Sequence, residues 1–136
     1  MVDHVDPEKR SSIMSAVHSK DTKPEMKVRK AVFALGYRYR LHRTDLPGKP
    51  DLVFPSRRKV IFVHGCFWHR HARCKYATIP KTRTQFWQDK FAANTKRDRR
   101  VRRDLKKLGW EVLTVWQCEL KRPEKLTERL NDFLAK

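Results

Sequence analysis

The sequence predicts an α/β fold, a mixed β-sheet flanked by helices, on three observations. Val60-Ile61-Phe62-Val63 is apolar on both faces and reads as a buried central strand. From Thr84 to Leu108 there is neither proline nor glycine, and Phe86, Val101, Leu105 and Leu108 fit one helical face while basic residues crowd the other. Gly109 then ends the helix and Trp110 to Trp116 reads as a further strand. A helix of that length between two such strands is the crossover that a parallel pair requires.

The remaining elements follow in order. Asp6-Pro7-Glu8 sets an N-cap before a first-turn proline and predicts a short helix over 7–17. Thr22-Lys23-Pro24-Glu25 has the capping-box spacing, and Val28, Ala31, Val32 and Leu35 recur at helical intervals until Gly36, giving a helix over 23–35. Tyr37-Arg38-Tyr39-Arg40-Leu41 alternates as a half-exposed strand does, and Leu46 to Pro50 is a loop. Asp51 to Phe54 starts a second strand, Pro55 to Arg58 turn the chain, and Pro123 opens a last helix carrying Leu126, Leu130 and Phe133. The order is α-α-β-β-β-α-β-α. The 136 residues suffice for one core, and no repeat, low-complexity tract or linker divides 1–136, so a single domain is expected.

Composition narrows the partners. Thirty-three Lys and Arg against 15 Asp and Glu give a formal charge of +18, well beyond what solubility needs. A polyanion is implied, DNA or RNA first, with an acidic protein, a membrane surface or simple solvation as alternatives. No apolar run approaches the roughly 18 residues of a membrane span, and Met1-Val2-Asp3-His4 does not begin a signal peptide, so an intracellular protein without a membrane partner is expected. Three cysteines cannot all pair within one chain, which favours metal ligation or free thiols over a disulfide framework.

The densest chemistry lies in His64-Gly65-Cys66-Phe67-Trp68-His69-Arg70-His71-Ala72-Arg73-Cys74, beginning where the central strand ends. Thiols and imidazoles are zinc ligands, histidine moves protons near neutral pH, and adjacent aromatics can wedge between bases. Cys66, His71, Cys74 and Cys118 make a three-thiolate, one-imidazole set of closed, structural type that uses every cysteine. Cys-x4-His-x2-Cys is not a standard finger spacing, so buried or free thiols stay open on these residues alone. Pro50-Asp51 places a carboxylate at the start of the second strand, where it could face His64 or serve only as a turn acid.

Helix, three strands, helix, strand, with Pro-Asp on the second strand, resembles the restriction-endonuclease-like core of the PD-(D/E)xK nuclease superfamily. That core usually carries an acid on the third strand and a lysine two positions later; here the stretch reads Phe62-Val63-His64. The departure, with the His-Gly-Cys-Phe-Trp-His run after it, resembles the very-short-patch repair (Vsr) DNA mismatch endonuclease family. The resemblance extends over Asp21-Thr22 with Glu25, Leu46 to Asp51, His64 to His69, Thr82 to Trp87, Asn94 with Arg97-Asp98, and Gly109-Trp110 through Trp116 to Glu119.

The resemblance implies a bacterial, cytoplasmic, monomeric enzyme that nicks double-stranded DNA 5′ of the thymine in a T·G mismatch with magnesium, initiating repair that other proteins continue. It implies that Asp51 binds magnesium together with the backbone carbonyl of Val63, a reasonable set for a hard cation that keeps several waters. His69 and His64 are implied to serve proton transfer and the phosphate or leaving group, with the division between them open. Glu25 matches a family acid that reaches the histidines or a water on the metal, and its capping-box role is compatible with that. The Cys66, His71, Cys74 and Cys118 set is implied to hold structural zinc, although one extra residue between His71 and Cys74 leaves His69 as a competing ligand. Phe67, Trp68 and Trp87 are implied to enter the base stack, with Met14, in an N-terminal arm over 1–20, Lys90 and Asn94 recognising the mismatch. Otherwise Lys90 is a solvated lysine and Met14 a packing residue. The basic run Lys96 to Arg103 suits phosphate contact, which positions a duplex without reading it. Two rivals remain: a restriction-type endonuclease that cuts paired DNA, and a non-catalytic zinc-stabilised DNA-binding module.

Overall fold

A computed structural model describes residues 22–67, 69–72, 74–75 and 77–136. The predicted helix over 7–17, Met14 and Trp68 lie outside the described residues. Helix α1 is Lys23–Ala34, followed by strands β1 (Arg40–Leu41), β2 (Leu52–Phe54) and β3 (Lys59–His64), helix α2 (Thr84–Lys107), strand β4 (Glu111–Trp116) and helix α3 (Pro123–Ala135). Short 3-10 turns cover Pro55–Arg57 and Gln117–Lys121. The sheet order is β1-β2-β3-β4, with β1–β2 and β2–β3 antiparallel and β3–β4 parallel. The mixed α/β reading holds, and α2 is the connection between the parallel pair.

The sheet buries both faces. Leu52, Phe54, Ile61 and Val115 pack with Val28 and Val32 of α1 and with Leu126, Leu130 and Leu134 of α3. Val53, Val60, Phe62 and Trp110 pack with Leu46 and with Leu105 of α2. A side chain of this kind contributes about 1.5–3 kcal/mol when fully buried, so the continuous apolar run of β3 is what the two-layer cover demands.

Two expectations are corrected. Only Arg40–Leu41 of the expected strand over 37–41 pairs, as an edge that stays short and exposed. Phe86 and Leu108 do not belong to the inward face of α2: they are 45% and 53% exposed, while Phe91, Asn94 and Leu105 are buried. The inward stripe runs Phe91, Asn94, Asp98, Val101, Leu105 at helical spacing, with two polar members where the helix passes the end of β3. Directly after the turn, Lys59 opens β3 and is buried, its Nζ donating to the carbonyls of Phe133 (2.5 Å) and Lys136 (2.9 Å), while Arg57 donates to that of Leu134 (2.9 Å). Two cations thus satisfy the C-terminal carbonyls of α3.

The loop before β2 is set by Gly48, at φ +73, where a Cβ would stand 2.3 Å from a Val101 methyl on α2. A side chain there would push the Leu46–Pro50 loop off the helix and displace Asp51 with it.

Candidate active site and metal centre

Because β2 and β3 are antiparallel, the start of one and the end of the other share an edge of the sheet. Asp51 stands there, its Oδ2 accepting from the Val63 backbone N–H at 2.7 Å. Glu25 reaches the same place from α1. It heads the inward stripe Glu25, Val28, Val32, is 1% exposed, and forms a group with His42 and Asp51 whose ligand atoms all lie within 4.8 Å. Thr22 caps α1 through the Glu25 N–H (3.4 Å), while the Glu25 carboxylate pairs with Arg29 and with His42 Nε2 (2.9 Å). Burial pushes the Asp51 acid up to about 7; the Val63 N–H opposes that and the neighbouring Glu25 reinforces it. A buried Asp51 carboxyl that resists ionisation, with a second carboxylate beside it, is a donor set that a hard cation satisfies.

One residue beyond Val63, His64 is buried and its Nδ1 has no hydrogen-bond partner among the described residues. Its ring stacks on His69, centroids 3.8 Å apart and planes 7° from parallel. His69 Nδ1 lies 2.6 Å from Asp98 Oδ2, on the inward stripe of α2. Burial first, then the adjacent His69, pushes His64 down to about 3, so it stays neutral through the physiological range. Asp98 holds the other imidazole with the proton on Nδ1, which makes Nε2 the basic nitrogen.

The zinc-type cluster sits at the same end. Cys66, His71, Cys74 and Cys118 bring one ligand atom each to within 4.8 Å of one another, and His69 belongs to the separate group with His64 and Asp98. His71 Nδ1 is 3.4 Å from Cys118 Sγ and 3.6 Å from Cys66 Sγ, and the Cys118 N–H donates to Cys66 Sγ at 3.4 Å. Parallel pairing makes this possible, since His64 and Trp116 end β3 and β4 side by side. Burial pushes the Cys66 thiol up to about 12 and raises that of Cys118 as well. Burial thus favours the protonated form of these two thiols; three soft donors and an imidazole in this arrangement fit a tetrahedral zinc ion, whose charge would offset that burial.

Aromatics line the neighbouring surface. Phe67 meets Phe91 (5.1 Å, 89°) and Trp87 (5.8 Å, 70°) edge to face, and Trp87 lies over Phe91 at 5.8 Å. Lys90 is exposed on the same helix, while Asn94 is buried and accepts from Arg97 at 3.3 Å. The structure therefore gathers Phe67, Trp87, Lys90 and Asn94 along α2, Asp51 with Glu25 and Val63, and His64 with His69.

Sequence reasoning left three participants without a role. Asp98 was visible as the one acid inside the basic run, but its pairing with His69 depends on the turn of α2. Trp116 stacks on His71 (4.2 Å, 8°) and sets its edge towards His64 (5.3 Å, 77°), so one indole lies between the cysteine–histidine cluster and the histidine pair. His42, in a left-handed backbone conformation (φ +50), offered no pattern at all.

The family model for DNA mismatch endonuclease Vsr matches residues 2–75. The chain is 51% identical over 134 residues to the type II nicking enzyme V.XorIIP of Xanthomonas oryzae pv. oryzae, covering 98% of both chains. It is 45% identical to the type II nicking enzyme V.NmeAIP of Neisseria meningitidis, over 96% of this chain and 93% of that one. With the DNA mismatch endonuclease Vsr of Escherichia coli it shares 42% identity, over 99% of this chain and 89% of that one. A match over more than half the chain, and relatives this similar over almost their whole lengths, place the protein in the Vsr family of DNA nicking endonucleases.

Proposed function

We propose that this protein nicks the thymine strand of a T·G mismatch on its 5′ side by magnesium-dependent phosphodiester hydrolysis, on a restriction-endonuclease-like core, and so initiates very-short-patch repair. The observation that carries this reading is the joint placement, at one end of the sheet, of a buried carboxylate pair and a stacked histidine pair with its own acid. His69, oriented by Asp98, takes the proton of the attacking water at Nε2 as the P–O3′ bond breaks. Neutral His64, with a buried and unpartnered nitrogen, donates to a phosphate oxygen or to the leaving 3′ oxygen. Asp51, with Glu25 beside it and the Val63 carbonyl, would hold magnesium, which supplies charge neutralisation at the phosphate. Cys66, His71, Cys74 and Cys118 would hold zinc with no part in the chemistry.

Recognition is assigned to Phe67, Trp68 and Trp87, with Lys90, Asn94 and Met14. Unstacking costs a few kcal/mol per step, least where pairing is already weak, so a wobble pair opens in preference to a paired one. Basic side chains along α2 contact phosphates and make affinity fall with salt. Among the described residues no helix is long and apolar enough to cross a membrane.

The names of two relatives, both type II nicking enzymes, favour a second reading, a nick at a paired recognition site. Single-turnover nicking of a T·G duplex and its T·A counterpart with magnesium separates the two. We expect the mismatch to be cut faster by roughly a hundredfold, from a discrimination of a few kcal/mol. Equal rates favour the second reading, and tight binding without any cut would remove catalysis altogether.

A further inference from the structure

Arg70 has no part in the chemistry above, yet its guanidinium makes three backbone contacts. Nη1 donates to the carbonyls of Phe67 (3.2 Å) and Thr78 (2.9 Å), and Nη2 donates to that of Ala77 (2.9 Å). The group also lies over the Phe91 ring at 4.1 Å and within 5.6 Å of the Phe67 centroid. The residue adopts a left-handed conformation, φ +51, that a non-glycine side chain holds only where its surroundings enforce it. One planar fork therefore ties the start of the cysteine loop to its end and both to α2. It does so with charge-assisted hydrogen bonds that are independent of the four metal-ligand positions.

Phe67 is the loop residue whose carbonyl the fork holds and whose ring rests edge-on against Trp87 and Phe91. An aromatic edge that must enter a base stack works best when its position is set before DNA arrives, because ordering it on binding subtracts from the energy available to open the step. We propose that Arg70 is a specificity-determining positioning residue, which holds Phe67 in register with Trp87 so that the pair enters the mismatched step as one rigid edge. This rests on the mismatch reading above and adds to it a residue outside both the zinc set and the catalytic set. Lysine cannot substitute, since an ammonium has neither the fork nor the planar face.

The test uses the zinc-loaded protein and two duplexes: a T·G duplex with 2-aminopurine beside the mismatch, and the same duplex with the adjoining base replaced by an abasic site, so that the step is already open. In wild type the fluorescence rises on binding. In Arg70→Ala we expect that rise to fall at least threefold and T·G nicking to slow about tenfold, while nicking of the opened duplex stays within about twofold and bound zinc is unchanged. Arg70→Lys should behave like Arg70→Ala, and it carries the same comparison if the alanine variant loses its zinc. A wild-type rise in Arg70→Ala, equal slowing on both duplexes, or full rescue by lysine each overturns the proposal, the last by showing that only the charge matters. A wild-type protein with no fluorescence rise on T·G DNA overturns the mismatch reading itself and this proposal with it.

Discussion

Asp51→Asn is expected to abolish nicking and at the same time to raise the melting temperature of the metal-free protein at pH 8. The amide oxygen can still accept the Val63 N–H, so the local fold survives, but the charge that a hard cation needs is gone. A loss of several kcal/mol of charge stabilisation corresponds to roughly 10³-fold or more in rate. Stability moves the other way. Burial, with Glu25 alongside, raises the folded-state acid from 3.8 to about 7. A proton bound more tightly in the folded state stabilises it fully below about pH 4, and that contribution is lost as pH rises through 7. Above pH 7 the wild type carries the whole cost, on the order of 2–4 kcal/mol, and asparagine removes it. Melting curves at pH 4, 6 and 8 check the account: the two proteins should coincide at pH 4 and separate progressively above it. A variant less stable than wild type at pH 8 contradicts the placement of Asp51 as a buried, unfavourable carboxylate.

If the cluster holds zinc as proposed, Cys118→Ala is expected to remove about one zinc per chain and, with it, both the order of the cysteine loop and nicking. The loop departs from the end of β3 and is tied back to the turn after β4 by this one residue. Cys66 is its buried apolar anchor among the described residues, so the loop has little core of its own. Structural zinc contributes on the order of 10 kcal/mol in small folding units, and part of that here should appear as a fall in melting temperature of roughly 10 °C or more. Elemental analysis beside calorimetry reads both effects. A zinc-free protein that stays folded and nicks DNA at the wild-type rate removes the structural role assigned to the cluster.

Local pattern carried much of this fold. The apolar run of β3, the stop at Gly36 and the proline at the head of α3 each act through neighbours in sequence, and the elements stand where those signals put them. What stayed hidden depends on tertiary placement. The inward stripe of α2 is hidden because Asn94 and Asp98 occupy positions where periodicity expects apolar residues; Asp98 reaches His69 instead of the core. The burial of Lys59 has no local signature, since its partners are carbonyls more than seventy residues away. The pairing of Glu25 with His42 spans a loop and has no sequence signature. The candidate site was more legible than the packing around it: Asp51, His64 and the cysteines announce their chemistry by type, whereas Asp98, Trp116 and Arg70 act through orientation.

On the proposed function, one loop combines zinc, histidines and aromatics to cut one strand at one lesion. This is tested most directly by mapping products from a T·G duplex labelled separately at each of its four ends, incubated with the zinc-loaded protein and magnesium. We expect one break, in the thymine strand immediately 5′ of the mispaired T, leaving a 3′ hydroxyl and a 5′ phosphate, with the guanine strand intact. Breaks in both strands, or the same break in the fully paired duplex at an equal rate, would contradict it.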